Sequence, residues 1–212
     1  AFPELREPTI TGLAVGLAVT GQVPSEHAFS FNKRLEVTVN DKREIALVDV
    51  AVVSERFIGA RAIWKTENFR DLFVTFGLPD GIGMSSIVGL LAPLDRDTPE
   101  GRRIRFLPVE KANIRLSAPI APGLIEEVGV GAIEVIQPNT IYLPSVSAGS
   151  FALDGERELT FSEVDDVGIR LQTDAFRTIN VPDCMAYAAK HGLLTRVAEN
   201  QLRAAQNKGR TQ

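Results

Sequence analysis

An aspartate lies inside one of the most apolar stretches of the chain, ALVDVAVV (residues 46–53). Burying an unpaired carboxylate costs several kcal/mol, so Asp49 must be paired, hydrogen-bonded or turned towards a ligand. In the simplest alternative it satisfies neighbouring backbone amides or an arginine at the end of a strand. Both roles, structural and ligand-binding, are open at this point.

A second stretch, GIGMSSIVGLL (81–91), places glycines and two serines directly before four aliphatic residues. The first turn of a helix presents unpaired N–H groups and a positive dipole, which suit a phosphate or a ribose hydroxyl. The alternative is a serine N-cap on a helix of the core. The stretch is not a P-loop, because no Gly-Lys-Ser/Thr follows, and Ser86 occupies the place of the third glycine of a Rossmann fingerprint.

The same stretch also lacks a nucleophile elbow, which requires G-x-S-x-G and fails here at Ile87. A serine hydrolase with Ser85 as nucleophile would depend on His27 or His191 as its base, since the chain has two histidines. Labelling of Ser85 by a fluorophosphonate probe is the observation that this alternative requires.

The third stretch is SFALDGERELTF (150–161), in which apolar residues flank Asp154–Gly155. Asp-Gly between alternating strands predicts a two-residue hairpin turn, and that alone explains both residues. Three charged residues follow at 156–158, as in a solvated strand start. A catalytic or metal-bridging carboxylate is the alternative.

The elements that position these residues are mostly short strands. The sequence predicts a mainly β (α+β) fold, a layered β-sandwich with an N-terminal helix and C-terminal helices. It divides into a connecting helix (1–24), a β-rich domain (25–182) and a helical segment with a polar tail (183–212). The predicted elements are a helix over 5–20, a hairpin over 34–53 turning at Asn40–Asp41, a strand over 71–76, short strands after Pro99 and a helix capped by Asp183.

Composition excludes several classes of partner. The formal charge of −4 with scattered Lys and Arg argues against nucleic acid or an acidic membrane, and no apolar run approaches the roughly 20 residues of a membrane span. Cys184 is the single cysteine, and without a Cys/His cluster no metal site is expected. These features, with no signal peptide visible, lead us to expect a cytoplasmic protein.

Four stretches in this order, FPELREPTITGLAVGLAVTG, IALVDVAVV, IGMSSIVGLL and FALDGERE, resemble the ATP-NAD kinase family, specifically its acetoin-catabolism (AcoX-type) branch. The resemblance extends to about residue 194 and implies the β-rich second domain of such a kinase, which supplies much of the dinucleotide site. It also implies ATP and NAD as ligands, Mg²⁺ in the whole enzyme, and a homo-oligomer. The family's Gly-Gly-Asp-Gly-Thr motif, with the essential aspartate, belongs to the first domain and does not occur here.

The resemblance therefore implies no catalytic residue in this chain, weak or no kinase activity from it alone, and a nucleotide pocket. Val48–Asp49 takes the place of the kinases' Asn-Glu pair. The segment Gly83–Ile87 takes the place of the kinases' Gly-Ser-Thr-Ala-Tyr stretch, and Ser85 keeps the hydroxyl of its threonine. Asp154–Gly155–Glu156 is similar to the Asp-Gly-Glu of related lipid kinases. The implied binding residues are Asp49, Gly83, Ser85, Ser86, Asp154 and Glu156.

A function of a different class is also open. Relative to the kinases the sequence lacks the Asn of the first motif and the Tyr of the second. These losses favour a non-catalytic nucleotide-binding, regulatory or structural module that keeps the fold without the chemistry.

Overall fold

The computed structural model describes residues 7–54 and 66–195. Within these ranges the helices are α1 (Pro8–Val19), α2 (Ser25–Ala28), α3 (Ser85–Leu91) and α4 (Val181–Lys190), with single 3₁₀ turns at Thr66–Asn68 and Val109–Lys111. The strands are β1 (Phe29–Val39), β2 (Lys42–Ala46), β3 (Asp49–Val53), β4 (Phe69–Val74), β5 (Gly101–Leu107), β6 (Ile114–Ala121), β7 (Leu124–Ile136), β8 (Ile141–Tyr142), β9 (Gly149–Leu153), β10 (Arg157–Phe161) and β11 (Val167–Ile179).

These strands form two open sheets. One has four strands in the order β2-β1-β11-β8, and the other has seven in the order β10-β9-β3-β4-β5-β7-β6. Every neighbouring pair in the larger sheet is antiparallel. The mainly β, layered fold predicted from the sequence is confirmed.

The two sheets share a core, here called the inter-sheet core, because the alternating side chains of their strands meet there. Its largest members are Leu35, Phe73, Ile136, Phe151, Leu153, Ile169 and Leu171. The opposite face of the seven-stranded sheet carries a second cluster, the helix-side core, against which α3 packs. Its members include Ala51, Val53, Leu72, Val74, Met84, Ile87, Val88 and Ile104. Strand β3 is buried along its whole length because it contributes alternate residues to both cores.

The described chain divides into two compact units, and residues 31–176 form the unit that holds most of both sheets. The other unit comprises 7–30 and 177–195 within the described residues. It has its own small core, in which α1 and α4 pack through Ala14, Leu17, Cys184 and Ala188. The first helix begins at Pro8, after Glu7 as its N-cap, and not at the predicted residue 5. The predicted polar tail lies outside the described residues.

The predicted hairpin over 34–53 is partly wrong. Strands β1 and β2 do pair around the turn at Asn40–Asp41, with Val39 opposite Lys42. The second arm, however, ends at Ala46, and β3 belongs to the other sheet. The break arises because the backbone N–H groups of residues 47–49 all donate to the carboxylate of Asp154. The chain therefore changes sheets at this point.

Both predicted helix caps are also wrong. Helix α3 follows Met84 as its N-cap, without a side-chain cap, and Ser85 is already its first residue. Helix α4 is capped by Asn180, whose side-chain oxygen accepts a 3.2 Å hydrogen bond from the N–H of Asp183. Asp183 instead lies in the first turn, where its charge suits the helix dipole.

Candidate functional site

Asp49 is the first residue of β3 and only 8% exposed. Because strand side chains alternate, it shares a face with Ala51 and Val53, which belong to the helix-side core. Within the described residues its carboxylate forms no hydrogen bond or ion pair. Burial, and next the charge of Asp154, raise the pKa of the Asp49 carboxyl to about 7. Asp49 is thus a buried acid that is poised to change charge near neutral pH.

Asp154 has a structural role that the sequence did not reveal. Its carboxylate accepts hydrogen bonds from the N–H groups of Leu47 (2.9 Å), Val48 (2.8 Å) and Asp49 (3.3 Å). In return the N–H of Asp154 donates to the carbonyl of Asp49 at 3.0 Å. A carboxylate that satisfies three consecutive amides fixes the backbone from which the Asp49 side chain projects. Asp154 therefore positions Asp49.

The predicted hairpin at Asp154–Gly155 is confirmed, with a loop one residue longer than the Asp-Gly signal indicates. Leu153 pairs with Arg157, which leaves three residues in the turn. Asp154 and Gly155 have φ of 52° and 70°, values that Asp and Gly tolerate better than most residues. Glu156 is exposed, and the Arg157 guanidinium contacts the Glu44 carboxylate at 2.8 Å.

The segment from Gly83 to Ser86 is anchored to strand β6. The N–H of Gly83, at φ 95°, donates to the Pro119 carbonyl at 3.0 Å, and the Ser86 hydroxyl makes a longer contact of 3.4 Å to the same oxygen. The side chains of Ser85 and Ser86 are both buried. Their hydroxyls thus face the protein, and the N–H of Ser86 donates to the Gly83 carbonyl at 3.1 Å.

The structure brings some predicted site residues together and leaves others apart. Asp49 and Asp154 are in direct contact through backbone and carboxylate. Residues 83–86 lead into α3, which packs on the same sheet face that carries Asp49. Glu156 is exposed beyond the hairpin turn. Within the described residues no group of three or more His, Cys, Asp or Glu side chains could hold a metal ion.

A buried polar cluster on β4 and β5 escaped sequence reasoning. The fully buried carboxylate of Asp71 accepts from the Arg103 guanidinium at 2.8 and 3.0 Å and from the N–H and hydroxyl of Ser145. The Arg103 guanidinium also lies 5.0 Å from the Phe73 ring centroid. The sequence signal for this cluster is an acidic residue within the apolar strand DLFVTF, the same kind of signal that predicts a buried acid at Asp49. Because all its oxygens are satisfied, Asp71 is structural.

Comparison with known proteins identifies relatives of this chain. Residues 33–174 match the acetoin catabolism protein X C-terminal domain. Over 199 residues the chain is 43% identical to acetoin catabolism protein X of Cupriavidus necator, a match that covers 92% of this chain and 55% of the relative. The chain thus spans about half the length of that curated relative. No helix among the described residues is long and apolar enough to cross a membrane. On these matches the chain belongs to the acetoin catabolism protein X family and contains its C-terminal domain.

Proposed function

We propose that this chain contributes a nucleotide or dinucleotide pocket to a longer, ATP-NAD-kinase-like protein that acts in acetoin catabolism. In this proposal another domain supplies the aspartate that phosphoryl transfer requires, and ATP and NAD are the ligands. Phosphoryl transfer depends mainly on positioning and on Mg²⁺-assisted charge stabilisation. The described residues form no Mg²⁺ cluster of their own, so the role proposed for this chain is binding.

The observation that carries the proposal is the state of Asp49. It is a buried carboxylate without a hydrogen-bond partner among the described residues, and its pKa is raised to about 7. Such groups are disfavoured in a purely structural site and concentrate in functional ones. The two hydroxyls of a ribose would donate to this carboxylate and stabilise its charged form. Asp49 is therefore the proposed ribose acceptor.

The other residues have supporting roles in the proposal. Asp154 holds the backbone of residues 47–49 and so aims the Asp49 side chain. The backbone of Gly83–Ser86, on the same sheet face as Asp49, would line the adenosine or phosphate part of the ligand. Glu156, exposed beside the turn, would lie nearest the solvent-facing phosphates.

Calorimetric titration of the chain with NAD, NADP and ATP tests the proposal. We expect micromolar to millimolar binding of at least one nucleotide, weakened about tenfold in Asp49→Asn through loss of a charge-assisted hydrogen bond. Glu127→Gln, which removes an exposed carboxylate from β7, is the matched control and should bind like the wild type. Because binding would stabilise the Asp49 carboxylate, it should release a proton near pH 7, visible as a heat that depends on the buffer.

The alternative is a structural or regulatory module without a nucleotide site. One observation at Asp154 favours this alternative. All the described hydrogen bonds that the Asp154 carboxylate accepts come from backbone N–H groups, so this carboxylate is not directed at a ligand. If no nucleotide binds the folded chain at millimolar concentration, or if Asp49→Asn binds as well as the wild type, the pocket proposed here does not exist.

A further inference from the structure

The larger unit contains a cavity of about 280 Å³ that none of the predicted site residues lines. It lies between β1, β11 and the connection that precedes β5. Its lining residues with charged or aromatic side chains are Phe31, Lys33, Arg96, Asp97 and Asp174. The proposed nucleotide role makes no use of this cavity.

Lys33 is a buried cation at the wall of this cavity, with only 6% of its surface exposed. Its ammonium group donates to the carbonyls of Glu100 (2.7 Å) and Asp95 (3.2 Å) and makes a weak contact of 3.4 Å with the Thr98 hydroxyl. These acceptors are all neutral oxygens. Within the described residues no carboxylate forms an ion pair with Lys33, so its charge has no direct counterion.

The electrostatic setting of Lys33 follows from that geometry. Burial, and next the nearby charge of Arg102, lower the pKa of Lys33 to about 8, against the opposing effect of Asp97, Glu100 and Asp95. The group therefore stays mostly protonated at neutral pH. A buried charge without a paired counterion is costly, and an anion in the adjoining cavity would relieve that cost.

Arg96 adds a second cation to the same cavity. Its guanidinium lies 3.7 Å from the ring centroid of Phe76, a stacking contact that holds the plane of the group in place. A guanidinium has five N–H donors in a fixed fork that matches the oxygens of a carboxylate or phosphate. Asp97 and Asp174 are exposed, so solvent screens their charges more than that of the buried Lys33.

We propose that this cavity binds a small metabolite through its oxyanion group, a carboxylate or a phosphate ester, with Arg96 as the hydrogen-bond donor and Lys33 as the buried counter-charge. Phe31, whose side chain is 48% exposed, offers an apolar wall for the rest of the ligand. The volume lies just below the ~300–1,000 Å³ of pockets for drug-sized ligands, so it suits a small acid better than a dinucleotide. The site is therefore separate from the proposed nucleotide pocket.

Titration of the isotope-labelled chain with sodium acetate and, separately, inorganic phosphate tests the proposal by NMR. We expect saturable shifts at Asn32, Lys33 and residues 96–98 at millimolar concentration, against sodium chloride at equal ionic strength. A response to acetate alone identifies a carboxylate ligand, and a response to phosphate alone a phosphoryl group. Arg96→Gln should weaken binding about tenfold, because the variant loses the charge-assisted hydrogen bonds of the guanidinium. Arg115→Gln, which replaces an exposed arginine on β6, should bind like the wild type.

Two further measurements keep the test independent of folding defects. Lys33→Met removes the buried charge at similar volume and should abolish the shifts while the rest of the spectrum is retained. In the wild type, the bound anion should raise the Lys33 pKa, and affinity should fall as pH rises above about 8. The charged groups that also act on this lysine are Asp95, Asp97, Glu100 and Arg102, and Arg96 and Asp174 line the same cavity. Unsaturable shifts, shifts elsewhere, or unchanged binding by Arg96→Gln would overturn the proposal.

Discussion

A single carboxylate, that of Asp49, has opposite expected effects on stability and on binding. It is buried beside the charged Asp154, and its pKa is raised from 3.8 to about 7. A group with a raised folded-state pKa contributes stability that is fully present below its unfolded pKa and is lost as pH rises through the folded value. Asp49 should therefore destabilise the fold increasingly from about pH 4 to pH 8.

Asp49→Asn should remove this pH dependence. We expect the variant to be more stable than the wild type at pH 8 by about 2 kcal/mol. This is below the roughly 4 kcal/mol that a pKa shift from 3.8 to about 7 would give at ~1.4 kcal/mol per unit. The difference should shrink as pH falls to 5, where the wild-type carboxyl is itself neutral. Urea unfolding of both proteins across this range measures it. A variant less stable than the wild type at every pH would show that the carboxylate is structural.

Residue-level inference from the sequence succeeded where the signal was local and failed where it required a distant partner. The run ALVDVAVV was sufficient to predict a buried acid at Asp49, because every neighbour is apolar. The contact of Asp154 with the amides of Leu47–Asp49 joins positions more than a hundred residues apart, and no local pattern encodes it. The burial of the Lys33 charge could not be predicted either, because it depends on strand β11 and on residues 95–100, which are distant in the sequence.

At the scale of elements, alternating apolar residues identified nearly every strand, whereas helix starts were misplaced by a few residues. The start of α4 shows why. Asn180, Pro182 and Asp183 all favour a helix start, and only the folded backbone selects Asn180, whose side-chain oxygen reaches the N–H of Asp183. The alternation of apolar residues extends over a whole strand, so it is a reliable signal. A helix cap, in contrast, depends on the φ and ψ angles of a single residue.

Asn180→Ala should therefore destabilise the unit formed by 7–30 and 177–195. Loss of an N-cap side chain costs about 1 kcal/mol, because one amide of the first turn is left without its acceptor. The helical signal in far-UV circular dichroism should melt at lower temperature. Asn180→Asp keeps a side-chain acceptor at the same position and should retain most of the stability. Equal loss in both variants would show that packing, not capping, is what Asn180 supplies.

At the scale of the whole molecule, the described chain contains three hydrophobic cores that differ in size and in the elements that they share. The inter-sheet core and the helix-side core share the seven-stranded sheet, since β3 and β4 send alternate side chains into each. Neither core can be disrupted without exposing residues of the other. The core of the second unit is smaller, built from short apolar side chains of α1, α2 and α4. The two units should thus differ in the free energy needed to open them.

Amide hydrogen exchange at residue resolution measures this difference. Protection depends on the free energy of opening, so amides of β3 and β4 should exchange at the rate of global unfolding of their unit. Amides in the middle of α1 and α4 should exchange faster by roughly two orders of magnitude, because fewer buried contacts oppose their opening. If the measured exchange rates increase in proportion to the hydroxide concentration as pH rises, they report the equilibria of opening. Equal protection in helices and strands would mean instead that the described chain unfolds as one cooperative block, with its smallest core as stable as its largest.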